Sequence, residues 1–173
     1  MGNHLKLLFP PEEIQLAVNR LANEIKRDYT DKTPLLIGIL KGSFIFFSDL
    51  VRALDMPLEI DFIRAASYGD RIVSSGEVKI TKDIDINIKN RDILVIEDVV
   101  DTGLTLDVIL EHLKTRNPAS LKLCALVDKH TQGQLPVKID YLGFSIRDGF
   151  LVGYGLDYNE KHRYLSGIYV MEK

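Results

Sequence analysis

The chain has 173 residues, with 22 lysines and arginines against 25 aspartates and glutamates, for a formal net charge of -3. That length suits one domain, and 46% hydrophobic with 27% charged residues is enough to build an apolar core, which excludes a disordered or fibrous chain. The slightly acidic balance supplies no global field for nucleic acid, and a single cysteine, Cys124, excludes a disulfide framework within the chain.

Met1 to Lys6 has no Ser or Thr at position 6 for myristoylation, and the short apolar stretch Leu7 to Phe9 stops at Pro10-Pro11, so neither lipid anchor nor secretion signal is expected. After Pro11-Glu12-Glu13, the residues Ile14, Ala17, Val18, Leu21, Ala22 and Ile25 recur at helical spacing and predict an amphipathic helix. Leu35 to Leu40 is a continuous apolar run, as in a strand buried on both faces. Lys41-Gly42-Ser43 interrupts it. Phe44, Phe47, Leu50, Val51 and Leu54 then predict a second helix with Ser43 as its candidate N-cap. Lys41, Gly42 and Asp49 break this most apolar region well short of the ~18 residues of a membrane span. A soluble, cytoplasmic protein without a membrane partner is expected.

Leu58, Ile60 and Phe62 alternate with Glu59 and Asp61 and predict a strand. From Ala65 to Gly76 small and polar residues around Ser67-Tyr68-Gly69 predict a mobile loop. Val78, Ile80, Ile84, Ile86 and Ile88 resume alternation, as a hairpin extension or edge strands. Ile93 to Ile96 is another buried strand, running into Glu97-Asp98-Val99-Val100-Asp101-Thr102-Gly103-Leu104-Thr105. Leu106, Ile109, Leu110 and Leu113 follow at helical spacing until Asn117-Pro118. Leu121 to Val127 is a fourth strand with Cys124 as a packed core residue, and Val137 to Tyr141, Phe150 to Val152 and Ile168 to Met171 predict further strands. Repeated strand, helix, strand order implies an α/β fold with a central, mostly parallel sheet flanked by helices. Ligands of such sheets bind beyond the carboxyl ends of the strands, which selects Lys41-Gly42-Ser43, Glu97 to Thr105, and Asp128-Lys129-His130.

Glu97 to Thr105 places three carboxylates, two hydroxyls and a glycine between a strand and a helix. The free N–H groups of the helix start suit a phosphate, with Gly103 letting the backbone close around it. The acids would repel that phosphate and should face hydroxyls, a divalent cation or a transferable proton, so a phosphorylated sugar meets every demand. From spacing alone, the plainer reading is a helix capped by Thr102 or Thr105 with solvated acids beside it. Asp101-Thr102-Gly103 has the aspartic-protease triplet, but the strand-to-helix setting and the adjoining Glu97-Asp98 disfavour that chemistry. Neither a P-loop, a dinucleotide fingerprint nor a zinc-protease motif occurs, and His4, His112, His130 and His162 lack ligand spacing.

Val95 to Thr105 resembles the phosphoribosyl pyrophosphate signature of the type I phosphoribosyltransferases. Phe150-Leu151-Val152-Gly153-Tyr154-Gly155-Leu156-Asp157-Tyr158-Asn159-Glu160 is similar to the purine-binding hood of the hypoxanthine-guanine phosphoribosyltransferases. With Leu40-Lys41-Gly42, Ser67-Tyr68-Gly69 and Lys129 in order, the resemblance spans essentially the whole chain. It implies a single phosphoribosyltransferase domain over residues 1–173, with hood segments near the N-terminus and at about 130–173, acting in purine salvage on hypoxanthine or guanine.

Residue by residue, the resemblance makes Asp101 the general acid or base at purine N7. Glu97 and Asp98 would hold ribose hydroxyls and Mg2+, and Asp157 would approach a second Mg2+. The backbone of Asp101, Thr102, Gly103, Leu104 and Thr105 would cradle the 5′-phosphate. Phe150 would stack on the purine, Lys129 would donate to its 6-oxo group, and backbone near Leu151 and Asp157 would complete the edge. Lys41, Gly42 and Arg163 would bind pyrophosphate, and Ser67 and Tyr68 would sit on a closing lid. Two departures stand out: Leu104 where some relatives have lysine, and His130-Thr131-Gln132-Gly133 where many bacterial relatives have Pro and Arg after the lysine. The family also implies a homodimer or homotetramer. The alternatives are a regulatory protein that senses phosphoribosyl pyrophosphate and binds RNA, which the acidic charge does not support, and a phosphoribosyltransferase for another base such as adenine or orotate.

Overall fold

The structure is a computed structural model and describes residues 4–68, 77–129 and 136–172. Its elements in chain order are β1 (His4–Phe9), α1 (Pro11–Asp28), β2 (Leu35–Ile39), α2 (Phe44–Leu54), β3 (Glu59–Tyr68), β4 (Glu77–Lys82), β5 (Asp92–Val100), α3 (Leu104–Lys114), β6 (Ser120–Asp128), β7 (Tyr141–Ser145), β8 (Phe150–Val152) and β9 (Ile168–Glu172). Six strands form the main sheet in the order β4-β3-β2-β5-β6-β7, and β1-β9-β8 form a second, smaller sheet.

From β3 to β7 every neighbouring pair is parallel, and only β4 runs antiparallel, against β3. The apolar runs explain how both faces are filled. Because side chains alternate along a strand, Leu36, Leu94, Ile96, Cys124 and Leu126 face α1 and α2. Leu35, Ile37, Ile93, Val95, Leu123 and Ala125 face the other way, with Ile109, Leu110 and Leu113 of α3. α1 begins with Pro11 and the acids Glu12 and Glu13, ends with Lys26 and Arg27, and buries the predicted apolar stripe from Ile14 to Ile25. Cys124 is fully buried and burial pushes its thiol pKa up, as a core residue's should be.

Several local expectations change. Ser43 holds the N-cap position of α2, but its hydroxyl caps nothing; it is buried and donates to the Ile39 carbonyl at 2.5 Å. Of the loop expected from Ala65 to Gly76, Ala65 to Tyr68 instead continue β3 in pairing with β4, while residues 69–76 lie outside the described part. Ile84 to Ile88 form no strand. There the buried Asp61 carboxylate takes the backbone N–H groups of Asp85 and Ile86, which a ladder would have used, and Ile84 and Ile88 drop into the core. β7 starts at Tyr141, after the expected Val137 and Ile139, and adds to the main sheet. β1 was not foreseen: it pairs with β9, from His4 opposite Glu172 to Phe9 opposite Ile168.

Candidate active site

The chain leaves β2 by α2 to β3 on one side and returns through β5 on the other, so β2 and β5 flank the switch point of the sheet. Lys41-Gly42 follows β2 there, across a cis Leu40–Lys41 peptide. Asp98 stands opposite, near the end of β5. The Gly42 backbone meets the Asp98 side chain closely: a Cβ on Gly42 would lie 2.0 Å from Asp98 Oδ2, so no larger residue fits without moving that carboxylate.

β5 runs four residues further than its apolar stretch, so Glu97 and Asp98 belong to the strand and not to the loop after it. Asp98 is buried, and its Oδ1 accepts the Val99 N–H at 2.9 Å, while Glu97 Oε1 accepts the Asp98 N–H at 3.0 Å. Burial, and then the adjoining Asp98 carboxylate, raise the Glu97 pKa well above the usual carboxylate value. Two oxygen-only side chains crowded in this way suit a hard cation, which would relieve their repulsion.

At the end of β5, Glu97 and residues Val99 to Gly103 with Thr105 and Leu106 line a cavity of about 150 Å3 at the start of α3. Neither threonine caps this helix. Gly103 occupies the N-cap with φ 74°, and Thr102 Oγ1 only accepts the Leu104 N–H at a long 3.4 Å. The first intrahelical bond runs from Asp107 N–H to the Gly103 carbonyl, so the N–H groups of Thr105 and Leu106 in the first turn are placed to meet an anion. The Leu104 side chain is exposed.

Lys129, just past β6, is tied to the same cradle twice. Its N–H donates to the Val100 carbonyl at 2.8 Å, and its ammonium lies 2.8 Å from Asp101 Oδ2.

A second cavity, of about 340 Å3, opens between the main sheet and the smaller one. Lys41, Gly42, Arg64 and Asp98 line one side; Leu151, Leu156, Asp157, Glu160 and Arg163 line the other. Arg163 pairs with Asp157 at 2.8 Å and donates to the Gly155 carbonyl at 2.8 Å. Phe150, the first residue of β8, is 48% exposed, and its ring meets that of Tyr158 edge-on with centroids 5.5 Å apart. The fold thus gathers Glu97, Asp101, Thr102, Gly103 and Thr105 at one cavity and Lys41, Gly42, Asp98, Leu151, Asp157 and Arg163 at the other, with Lys129 joined to the first through Asp101. Ser67 and Tyr68 end β3, and the expected lid between them and β4 falls on residues outside the described part, as do His130 to Gly133.

Two lining residues escaped the sequence reading. Arg64 stands in an ordinary alternating strand, and Glu160 closes a motif whose other members drew attention. Only the spacing of Arg64 after β3's buried Ile63, at the ligand-binding end of the strand, could have pointed to it.

The profile of the phosphoribosyl transferase domain matches residues 8–159. The chain is 46% identical to the hypoxanthine-guanine phosphoribosyltransferase of Bacillus subtilis over 96% of its own length and 93% of that protein's. It is 42% identical to the enzyme of the same name from Aquifex aeolicus, over 99% and 97%. A crystal structure of a hypoxanthine-guanine phosphoribosyltransferase from Bacillus anthracis superposes with a TM-score of 0.92 at 40% identity, covering 99% of this chain and 100% of that one. With a domain match over most of its length and full-length likeness of this degree, the chain belongs to the phosphoribosyltransferases, and among them to the hypoxanthine-guanine phosphoribosyltransferases.

Proposed function

We propose that the protein salvages purines, moving the 5-phosphoribosyl group of phosphoribosyl pyrophosphate to N9 of hypoxanthine or guanine to give IMP or GMP and pyrophosphate. The observation that carries this reading is the Lys129–Asp101 pair at the edge of the phosphate-type cradle, since it sets a cation for an oxo group beside a carboxylate for a ring nitrogen.

In this reading residues 1–173 work as one domain. The N–H groups from Asp101 to Thr105 and the threonine hydroxyls hold the 5′-phosphate, and Glu97 and Asp98 hold the ribose hydroxyls. Phe150 offers its exposed face to the purine, Leu151 and Asp157 backbone groups meet the base edge, and Lys129 reads the 6-oxo group. Asp101 accepts or returns the N7 proton as N9 bonds to ribose C1 and the C1–oxygen bond to pyrophosphate breaks. Lys41, the Gly42 backbone and Arg163 take the charge that develops on the departing pyrophosphate.

Glu97, Asp98 and Asp157 are the residues that would hold Mg2+. Among the described residues no three His, Cys, Asp or Glu cluster as a complete cage, so water and diphosphate would have to supply the remaining ligands. When bound it supplies Lewis-acid stabilisation of the leaving group. No helix of the described residues is long and apolar enough to cross a membrane, and cytoplasmic residence as a homodimer or homotetramer is proposed from the family. The test is nucleotide formation by purified protein with Mg2+, phosphoribosyl pyrophosphate and each base. IMP and GMP are expected; the absence of both, or steep salt-dependent RNA binding in place of turnover, would refute the reading.

A further inference from the structure

The two cations assigned to pyrophosphate share one carboxylate. Glu160 Oε1 lies 2.8 Å from the Lys41 ammonium, and Glu160 Oε2 lies 3.1 Å from the Arg163 guanidinium. One side chain therefore spans both cations with its two oxygens, across the cavity between the β2 loop and the turn that follows β8. No other carboxylate among the described residues bridges Lys41 and Arg163.

Backbone sets this position. The Glu160 N–H donates to Asp157 Oδ2 at 2.7 Å, and Tyr158 and Lys161 exchange both of their N–H···O bonds around it. Asn159 and Glu160 take positive φ values of 51° and 60° to make the turn. Arg163 is fixed separately by the Gly155 carbonyl and Asp157, so it does not depend on Glu160 for its place. The contact is nonetheless loose: the Glu160 side chain is 65% exposed, and exposed ion pairs are weak and screened by salt. An anion held weakly between two cations, with open solvent behind it, is suited to displacement. A diphosphate carries more charge and more acceptor oxygens than one carboxylate and can engage a guanidinium through two oxygens.

We propose that Glu160 is the internal counter-anion of the diphosphate subsite. It pairs with both Lys41 and Arg163 in the empty enzyme and swings to solvent when phosphoribosyl pyrophosphate or pyrophosphate binds. Because the product has to compete with it too, Glu160 lowers the affinity for pyrophosphate and favours its release. This rests on the assignment of Lys41 and Arg163 to diphosphate.

The experiment is calorimetric titration of the full chain with inorganic pyrophosphate, with and without Mg2+, for the wild type and for Glu160→Gln, Lys41→Met and Arg163→Leu, together with KM values for both substrates. Glu160→Gln is expected to bind pyrophosphate roughly 3- to 10-fold more tightly, the gain shrinking at high salt, and to lower the KM for phosphoribosyl pyrophosphate without moving the KM for the purine. Pyrophosphate should also raise its melting temperature by more than it raises the wild type's. Unchanged or weaker binding in Glu160→Gln, while Lys41→Met and Arg163→Leu bind poorly, overturns the counter-anion role and leaves the subsite standing. A loss in Glu160→Gln seen only with Mg2+ overturns it in favour of metal binding. Undiminished binding in both Lys41→Met and Arg163→Leu removes the subsite assignment and the proposal together.

Discussion

The Lys129 ammonium lies 2.8 Å from the Asp101 carboxylate, joining the end of β6 to the cradle after β5. The two groups proposed for opposite tasks on the purine thus satisfy each other until a base arrives. An oxopurine can replace that pairing on both sides at once, its 6-oxo group taking the ammonium and its N7 edge taking the carboxylate. A 6-amino group presents a donor to the Lys129 donor and leaves that contact unrestored.

Asp101→Asn keeps the shape and removes the proton acceptor. Turnover should fall by roughly 10²- to 10⁴-fold. The Asp101 side chain is 61% exposed, so the melting temperature should hardly move. Steady-state kinetics beside a thermal melt separate lost chemistry from lost fold.

Lys129→Met removes the proposed oxo-group donor. A hydrogen bond to a charged group is worth about 1.5–3 kcal/mol, so kcat/KM for hypoxanthine should drop by roughly 10- to 150-fold. The preference over adenine should shrink with it, as a competition assay with both bases will report.

Phe150→Ala removes an exposed ring at the edge of the hood sheet. If that ring stacks on the purine, the lost interaction is about 1–3 kcal/mol, appearing as a higher KM for the base and little change for the phosphoribosyl donor. Equal effects on both substrates would assign Phe150 to packing with Tyr158 instead.

Gly42→Ala tests the closest approach in the site. The added methyl meets Asp98 Oδ2, so either the β2 loop or the carboxylate must shift. A stability loss of about 1–3 kcal/mol is expected, with a larger fall in kcat/KM for the phosphoribosyl donor than for the base.

Asp61 gives a pH-dependent stability test outside the site. Burial works to raise its pKa, but the N–H groups of Ile86, Phe62 and Asp85 and the Lys82 ammonium outweigh it and leave it below the ordinary 3.8. The unfolded chain therefore binds the proton first, so this contribution is complete above about pH 4 and fades as pH falls through the folded-state value. Asp61→Asn should cost about 2 kcal/mol near neutrality and nearly nothing in strong acid, read by denaturant unfolding across pH. Glu97 acts with the opposite sign: its raised folded-state pKa makes its contribution decline as pH rises above the ordinary 4.5.

Much of this architecture was legible because short continuous apolar runs bounded by turn residues, such as Ile93 to Ile96 and Leu121 to Val127, fit strands with both faces covered, and such strands carry ligands at their carboxyl ends. The β5 segment was legible as chemistry for the same reason, as its acids follow a buried strand directly. What stayed hidden depended on partners remote in sequence. β1 exists because β9 lies against it, more than 150 residues later. The failed strand at Ile84 to Ile88 traces to Asp61, whose carboxylate captured the N–H groups that alternation had promised to a ladder. Glu160 looked like the end of a motif because nothing local shows that its oxygens reach Lys41, 119 positions away.

The most direct test of oxopurine-specific phosphoribosyl transfer is kcat/KM for hypoxanthine, guanine, xanthine and adenine, measured with one phosphoribosyl pyrophosphate and Mg2+ stock. Hypoxanthine or guanine should lead, with adenine lower by roughly 10²-fold or more, as expected where a buried or partly buried donor is left facing a donor. Turnover of adenine equal to that of both oxopurines, or of none of the four, would contradict the account.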